Sequence, residues 1–156
     1  MAKNIEYITK EKYDELVAEL NHLKTIRRKE IAEELEFARS LGDLSENAEF
    51  NKAREDQAVV EDRVNHIENV LANAELIKEH HSNKVEVGTV VSLRKKGASK
   101  DTQYHIVGSE EVDTTNLKIS IKSPIGKAVF GKAKGDSVIV KLPNHDEVTY
   151  TITEIE

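Results

Sequence analysis

Residues 40–50 read Ser40-Leu41-Gly42-Asp43-Leu44-Ser45-Glu46-Asn47-Ala48-Glu49-Phe50 and separate two long runs of helical periodicity. Before this break, Tyr13, Leu16, Leu20 and Leu23 recur three and four residues apart, and the stripe resumes at Ile31, Leu35 and Ala38. After it, Phe50, Ala53, Gln57, Val60, Val64, Ile67, Leu71 and Ala74 keep the same alternation, with Gln57 the polar member. Stripes this narrow cover a single seam on each helix. Joined by so short a connection, two such helices fold back on each other as an antiparallel hairpin, and at roughly 30 residues each would reach about 45 Å. Neither Gly nor Pro occurs between Thr9 and Leu41 or between Asp43 and Asn83, so both runs are expected to continue as unbroken helix. Thr9 is the expected N-cap of the first, with Ile8 and Tyr13 spaced as a hydrophobic staple. Between Leu20 and Ile31 the stripe steps by eleven residues, a local departure from the heptad, and Arg27-Arg28-Lys29-Glu30 fills it as a solvated face.

The break itself supports two readings. Gly42 suits the left-handed position just past a helix, and Asp43 or Ser45 suits the N-cap of the next helix, Asp43 with Glu46 three residues on forming a capping-box variant. Capping stabilises a turn, yet nothing about it requires that turn to stand at the far end of a long rod. Carboxylates placed there are positioned for delivery into another molecule's cavity, and hard oxygen donors of this kind suit Mg²⁺.

The bulk composition narrows the classes. The 156 residues contain no cysteine, which excludes a disulfide framework or a thiolate metal site and fits a reducing interior. No run has the length and apolarity of a membrane span, and the first residues contain no apolar leader core, so a cytoplasmic protein without membrane contact is expected. Residues 1–78 hold 12 Lys and Arg against 18 Asp and Glu, and residues 79–156 hold 11 against 11. A net charge of −6 is the wrong sign for autonomous binding to nucleic acid through counterion release.

Beyond Ala74 the seam fades, and Glu79-His80-His81-Ser82-Asn83 reads as a polar linker. The period then changes to β-branched strands at Val85–Leu93, Thr102–Val107, Leu117–Ile121, Ser137–Lys141 and Val148–Ile155, with Ser123-Pro124 opening a short helix that ends near Gly131. The fold class is α+β: a long antiparallel helical hairpin over residues 1–78, with an acidic tip near 41–47, followed by a compact antiparallel-sheet domain over residues 79–156.

The run Gly42-Asp43-Leu44-Ser45-Glu46-Asn47-Ala48-Glu49-Phe50, with Ala53-Arg54-Glu55 after it, strongly resembles the tip motif of the bacterial Gre transcript cleavage factors, most closely their A type. Phe50 departs from a tyrosine expected in many members. The resemblance covers the whole chain. It implies a factor that binds bacterial RNA polymerase as a monomer, without a cofactor of its own, and inserts the hairpin into the secondary channel. There Asp43 and Glu46 would share the polymerase's Mg²⁺, and the polymerase would hydrolyse backtracked RNA. Arg39 and Arg54, with Lys52 behind them, are the implied contacts to the nascent RNA 3′ segment; on charge alone they equally read as surface pairs for neighbours such as Glu36 and Glu55. The C-terminal domain is implied to be similar in fold to FK506-binding prolyl isomerases and to dock on the polymerase through Ser123, Pro124 and Ile125, residues that also read simply as a helix start. Competing readings are a non-cleaving channel regulator, a coiled-coil assembly module and a free-standing metallohydrolase. The last is weakened because two exposed carboxylates do not by themselves close a metal site.

Overall fold

The computed structural model describes residues 4–43, 47–78 and 83–156. It divides into two compact units, Tyr13–Asn73 and a second made of the residues before Tyr13 and after Asn73. The boundary therefore differs from the expected division at 78/79. The reason is a pair of short strands, β1 (Glu6–Ile8) and β2 (Ala74–Leu76), which run parallel in the register Glu6↔Ala74, Tyr7↔Glu75, Ile8↔Leu76. This pairing ends the second helical run early. Helix α3 (Ala48–Ala72) stops at Asn73, whose backbone and side-chain amides both donate to the Asn69 carbonyl, and the chain leaves as strand.

The first helical run is α1 (Lys10–His22), a π-helical turn (Leu23–Arg27) and α2 (Arg28–Ser40), with continuous helical backbone through the junctions. Thr9 is its cap as expected, the hydroxyl oxygen accepting from the Lys12 amide at 3.1 Å. The π turn falls where the stripe loses step. Leu23 to Ile31 spans one residue more than a heptad, and a wide i→i+5 turn absorbs the extra residue, so that Ile31 re-enters the seam. Leu16, Ile31 and Ala38 from one side, and Ala53, Val60, Val64, Ile67 and Val70 from the other, are buried; Gln57 is exposed. The core of this unit is thin, with Ile31, Val60 and Val64 at its centre and Leu20, Leu23 and Leu35 packed around them.

Polar pairs flank that seam. Arg28 meets Glu61, Arg63 meets Glu19 and Lys24 meets Glu68, each pair joining the two arms of the hairpin. Arg27, half-buried, takes Glu30 at 2.9 Å, Glu34 at 3.4 Å and, across the hairpin, Asp56 at 3.7 Å. The basic triplet is thus not only a solvated face: two of its members tie one arm to the other.

In the second unit, β3 (Val90–Lys95), β4 (Asp101–Val107), β5 (Lys118–Ser120), β6 (Ser137–Lys141) and β7 (Glu147–Ile155) form a sheet of order β5-β4-β3-β7-β6. The expected strands are present, but the sheet is mixed rather than antiparallel, because β4 and β5 run parallel. Their connection reverses twice. After a 3₁₀ turn at Ser109–Glu111 the chain folds back at Asp113, which pairs with Lys118 and whose carboxylate accepts from the amides of Thr115 and Asn116. Val85, Val91, Leu93, Ile106, Val129, Val138, Val140 and Ile152 form the core. Strand period is plain in β6, where Val138 and Val140 are buried and Ile139 between them is exposed. Helix α4 (Pro124–Val129) closes one side of this core through Val129. Strand β1 joins the same unit by close backbone approach: a Cβ at Gly108 would stand 1.5 Å from the Tyr7 carbonyl oxygen.

Candidate functional site

Helix α2 ends at Ser40, and the amide of Leu41 turns back to the carbonyls of Ala38 and Arg39. Gly42 follows at φ +114°, with nothing within 4 Å of where a Cβ would be, so the backbone conformation rather than crowding calls for glycine. Asp43 is exposed. Leu44, Ser45 and Glu46 lie outside the described residues, so the predicted role of Glu46 rests on the sequence.

The N-cap of α3 is Asn47, not Asp43 or Ser45. Its Oδ1 accepts from the Phe50 amide at 3.1 Å, and its Nδ2 donates to the Ala38 carbonyl at 2.7 Å. Asparagine answers both an orphan donor of α3 and an acceptor in the last turn of α2 with two separate atoms; an aspartate has no donor for the second, and a serine has one shorter-reaching hydroxyl for both. With the cap of α3 at Asn47, Asp43 is not the helix N-cap that the capping-box reading made it. Glu49 supplies the first-turn acid that favours the helix dipole. Sequence reasoning passed over Asn47 although asparagine is a strong N-cap residue; three cap-competent side chains within five positions gave no local reason to prefer one.

Arg39 lies in the last turn of α2, and Lys52 and Arg54 lie near the start of α3; all three are exposed. The tip-proximal end of α2 also carries two apolar side chains four residues apart, Phe37 and Leu41, 60% and 55% exposed. The donor set fits Mg²⁺ in kind, since carboxylate oxygens are its preferred ligands. Among the described residues, no three His, Asp or Glu side chains converge to hold a cation.

The second set of expected contacts lies in the other unit. Ser123 caps α4, accepting from the Gly126 amide at 3.0 Å and donating to the Ser120 carbonyl at 2.7 Å. Pro124 is the first helical residue and exposed, whereas Ile125 is half-buried and packs on the sheet core. The helix-start reading of Ser123-Pro124 is what the structure displays. No helix among the described residues is long and apolar enough to cross a membrane.

Two family models match successive parts of the chain: the N-terminal model of the transcription elongation factors over residues 6–76, and the GreA/GreB C-terminal model over residues 79–156. The transcription elongation factor GreA of Macrococcus caseolyticus is 44% identical over 149 residues, 95% of this chain and 94% of its own. That of Prosthecochloris aestuarii is 44% identical over 153 residues, 96% and 95% of the two chains. Among solved structures, the GreA factor homolog 1 of Thermus thermophilus matches 98% of this chain and 99% of its own at 23% identity and a TM-score of 0.42, a likeness that bears on neither fold nor function. The chain is a two-part protein of the class in which a helical hairpin with an acid at its turn accompanies a small mixed-sheet domain. It belongs to the GreA/GreB family of transcription elongation factors, and is a factor rather than a catalyst in its own right.

Proposed function

We propose that the chain binds bacterial RNA polymerase, inserts the hairpin tip through the secondary channel and stimulates the polymerase's own hydrolytic cleavage of backtracked RNA, rescuing arrested complexes. The observation that carries this reading is the division of labour at the tip. Asn47 caps α3, so Asp43 stands exposed in the turn without being the helix cap.

The carboxylates of Asp43 and Glu46 would add oxygen ligands to a Mg²⁺ that the polymerase largely holds. Such an ion stabilises the attacking and leaving oxygens of a phosphodiester. Arg39 and Arg54, with Lys52, would face the phosphates of the extruded RNA 3′ segment. Their exposed positions suit a charge contact with a short strand, and the net charge of −6 disfavours nucleic-acid binding outside the polymerase. Phe37 and Leu41 support insertion, since an exposed apolar pair next to the tip fits a surface that becomes covered in a protein cavity. The sheet domain, whose implied likeness is to FK506-binding isomerases, would dock through Pro124, the exposed member of its trio. On this reading the factor acts in the cytoplasm, as a monomer.

The test is RNA cleavage in a stalled, backtracked complex reconstituted with purified polymerase. Asp43→Ala or Glu46→Ala is expected to abolish stimulated cleavage while competition for polymerase is retained. Slowed synthesis without shortened transcripts from the unaltered chain would instead mark a non-cleaving channel regulator.

A further inference from the structure

We infer that Asn47 is a positioning residue for the acid-bearing turn, acting through its bond to Ala38 and separately from its role as a helix cap. The inference rests on the cleavage reading of the tip. Its basis is one carbonyl oxygen. Ala38 O accepts from the Leu41 amide at 3.1 Å, where the chain enters the turn, and from Asn47 Nδ2 at 2.7 Å, where it leaves. Both rims of the turn that contains Asp43 are therefore fastened to the same atom. The orientation of the amide is determined by its surroundings: reversed, it would set an NH₂ group against the Phe50 N–H and an oxygen against the Ala38 carbonyl.

The two bonds have separable consequences. The cap serves the first turn of a 25-residue helix whose seam is buried at Ala53, Val60, Val64, Ile67 and Val70. The bond to Ala38 joins the two arms at their outer end, where Ala38 and Ala53 are buried and small enough for close approach. Serine is also a strong N-cap, but its side chain is shorter and lacks the amide donor. Asparagine at this position is therefore explained by the cross-tip bond, which fixes where the turn sets Asp43. For groups that must reach a reacting centre, a misplacement of about 1 Å costs up to roughly 10²-fold in rate.

The experiment compares the full chain with Asn47→Ser, which keeps a cap oxygen and loses the bond to Ala38, and Asn47→Ala, which loses both. In the free protein, amide hydrogen exchange at Leu41 and Gly42 reads the fastening directly, and thermal unfolding reads the cap. In backtracked complexes, the maximal cleavage rate, the factor concentration giving half the effect and the Mg²⁺ dependence are measured together. The expected result for Asn47→Ser is an unfolding curve close to that of the unaltered chain, faster exchange at Leu41, and half-saturation within about twofold. Its maximal cleavage rate is expected to fall about tenfold, with partial recovery at raised Mg²⁺. Wild-type exchange, or a wild-type rate and Mg²⁺ dependence, in Asn47→Ser overturns the inference. So does a rate loss that merely follows lost binding or lost stability. If the unaltered chain stimulates no cleavage, the functional reading fails, and faster exchange in Asn47→Ser would then leave Asn47 as a fastener of the turn alone, which also overturns its assignment to the acids.

Discussion

Arg63 holds Glu19 at two points across the hairpin, Nε to Oε1 at 2.7 Å and Nη2 to Oε2 at 2.8 Å. Arg28 and Glu61 repeat the arrangement at 2.7 and 2.8 Å further toward the tip. Forked contacts of this type set direction as well as distance, so they select the register between the arms more sharply than the thin apolar seam does alone. Exposure limits their contribution to stability, and salt screens it.

This gives a pH and salt signature. The Arg28 guanidinium, by hydrogen bonding, holds the Glu61 carboxyl below its ordinary value of 4.5. A carboxyl lowered on folding adds stability that is fully present above 4.5 and lost as the pH falls through the lowered value. Glu61→Gln is expected to unfold at a lower temperature than the unaltered chain at pH 7 in low salt. The gap should close on acidification below 4.5 and in high salt, as followed by circular dichroism; a gap that is flat across that range would exclude the pair as its source.

Capping and chemistry separate at the tip. Asn47→Ala removes an N-cap and is expected to cost about 1 kcal/mol of hairpin stability. Asp43→Ala leaves the Asn47 cap in place and is expected to lower the unfolding midpoint less than Asn47→Ala does, although cleavage is lost. Calorimetry of the two variants decides this, and a larger loss for Asp43→Ala would return that residue to a structural role.

The π turn can be removed by design. Thr25 lies within it, exposed, with its hydroxyl on the Asn21 carbonyl. Deleting Thr25 shortens the step from Leu23 to Ile31 to one heptad, so a regular helix keeps the seam in phase and stability should be retained or raised. Deleting Glu33 instead moves Leu35 and Ala38 out of the seam and should unfold the tip-proximal half. Helicity and melting of the two deletions are the readouts.

At Gly108 the space is already taken by the Tyr7 carbonyl. Gly108→Ala is expected to cost about 1–3 kcal/mol or more and to release β1, seen as faster amide exchange at Ile77, whose N–H donates to the Ile8 carbonyl. Unchanged exchange at that amide would mean that the backbone accommodates the methyl group elsewhere.

The helices and strands were legible because each declares itself over a short window: the seam from Leu16 to Ala38, the alternation of Val138 and Val140, the cap at Thr9, and the serine and proline that open α4. What escaped was non-local or degenerate. Nothing near Ala74 announces a partner at Glu6, 68 positions earlier, and the period of α3 continues through Ala74 as if the helix did. The parallel course of β5 depends on a double reversal around Asp113 that turn residues mark but do not orient. At the tip, the glycine announced the turn in which Asp43 stands, whereas the choice of Asn47 as cap depends on a carbonyl nine residues away. Of the predicted site, Asp43, Arg39, Lys52 and Arg54 are found at or beside the turn.

The pairing of β1 with β2 means that the sheet unit is written in two pieces, one before Tyr13 and one after Asn73. The hairpin is thus spliced between two adjacent, hydrogen-bonded parallel strands: the chain departs beyond Ile8 and returns at Ala74, level with Glu6. Residues 13–73 form a cassette. Because β1 and β2 are parallel, a crossover of about a dozen residues in place of the hairpin should leave a folded sheet unit behind, and a hairpin bearing a different turn sequence could be exchanged at the same two joints without redesigning the rest.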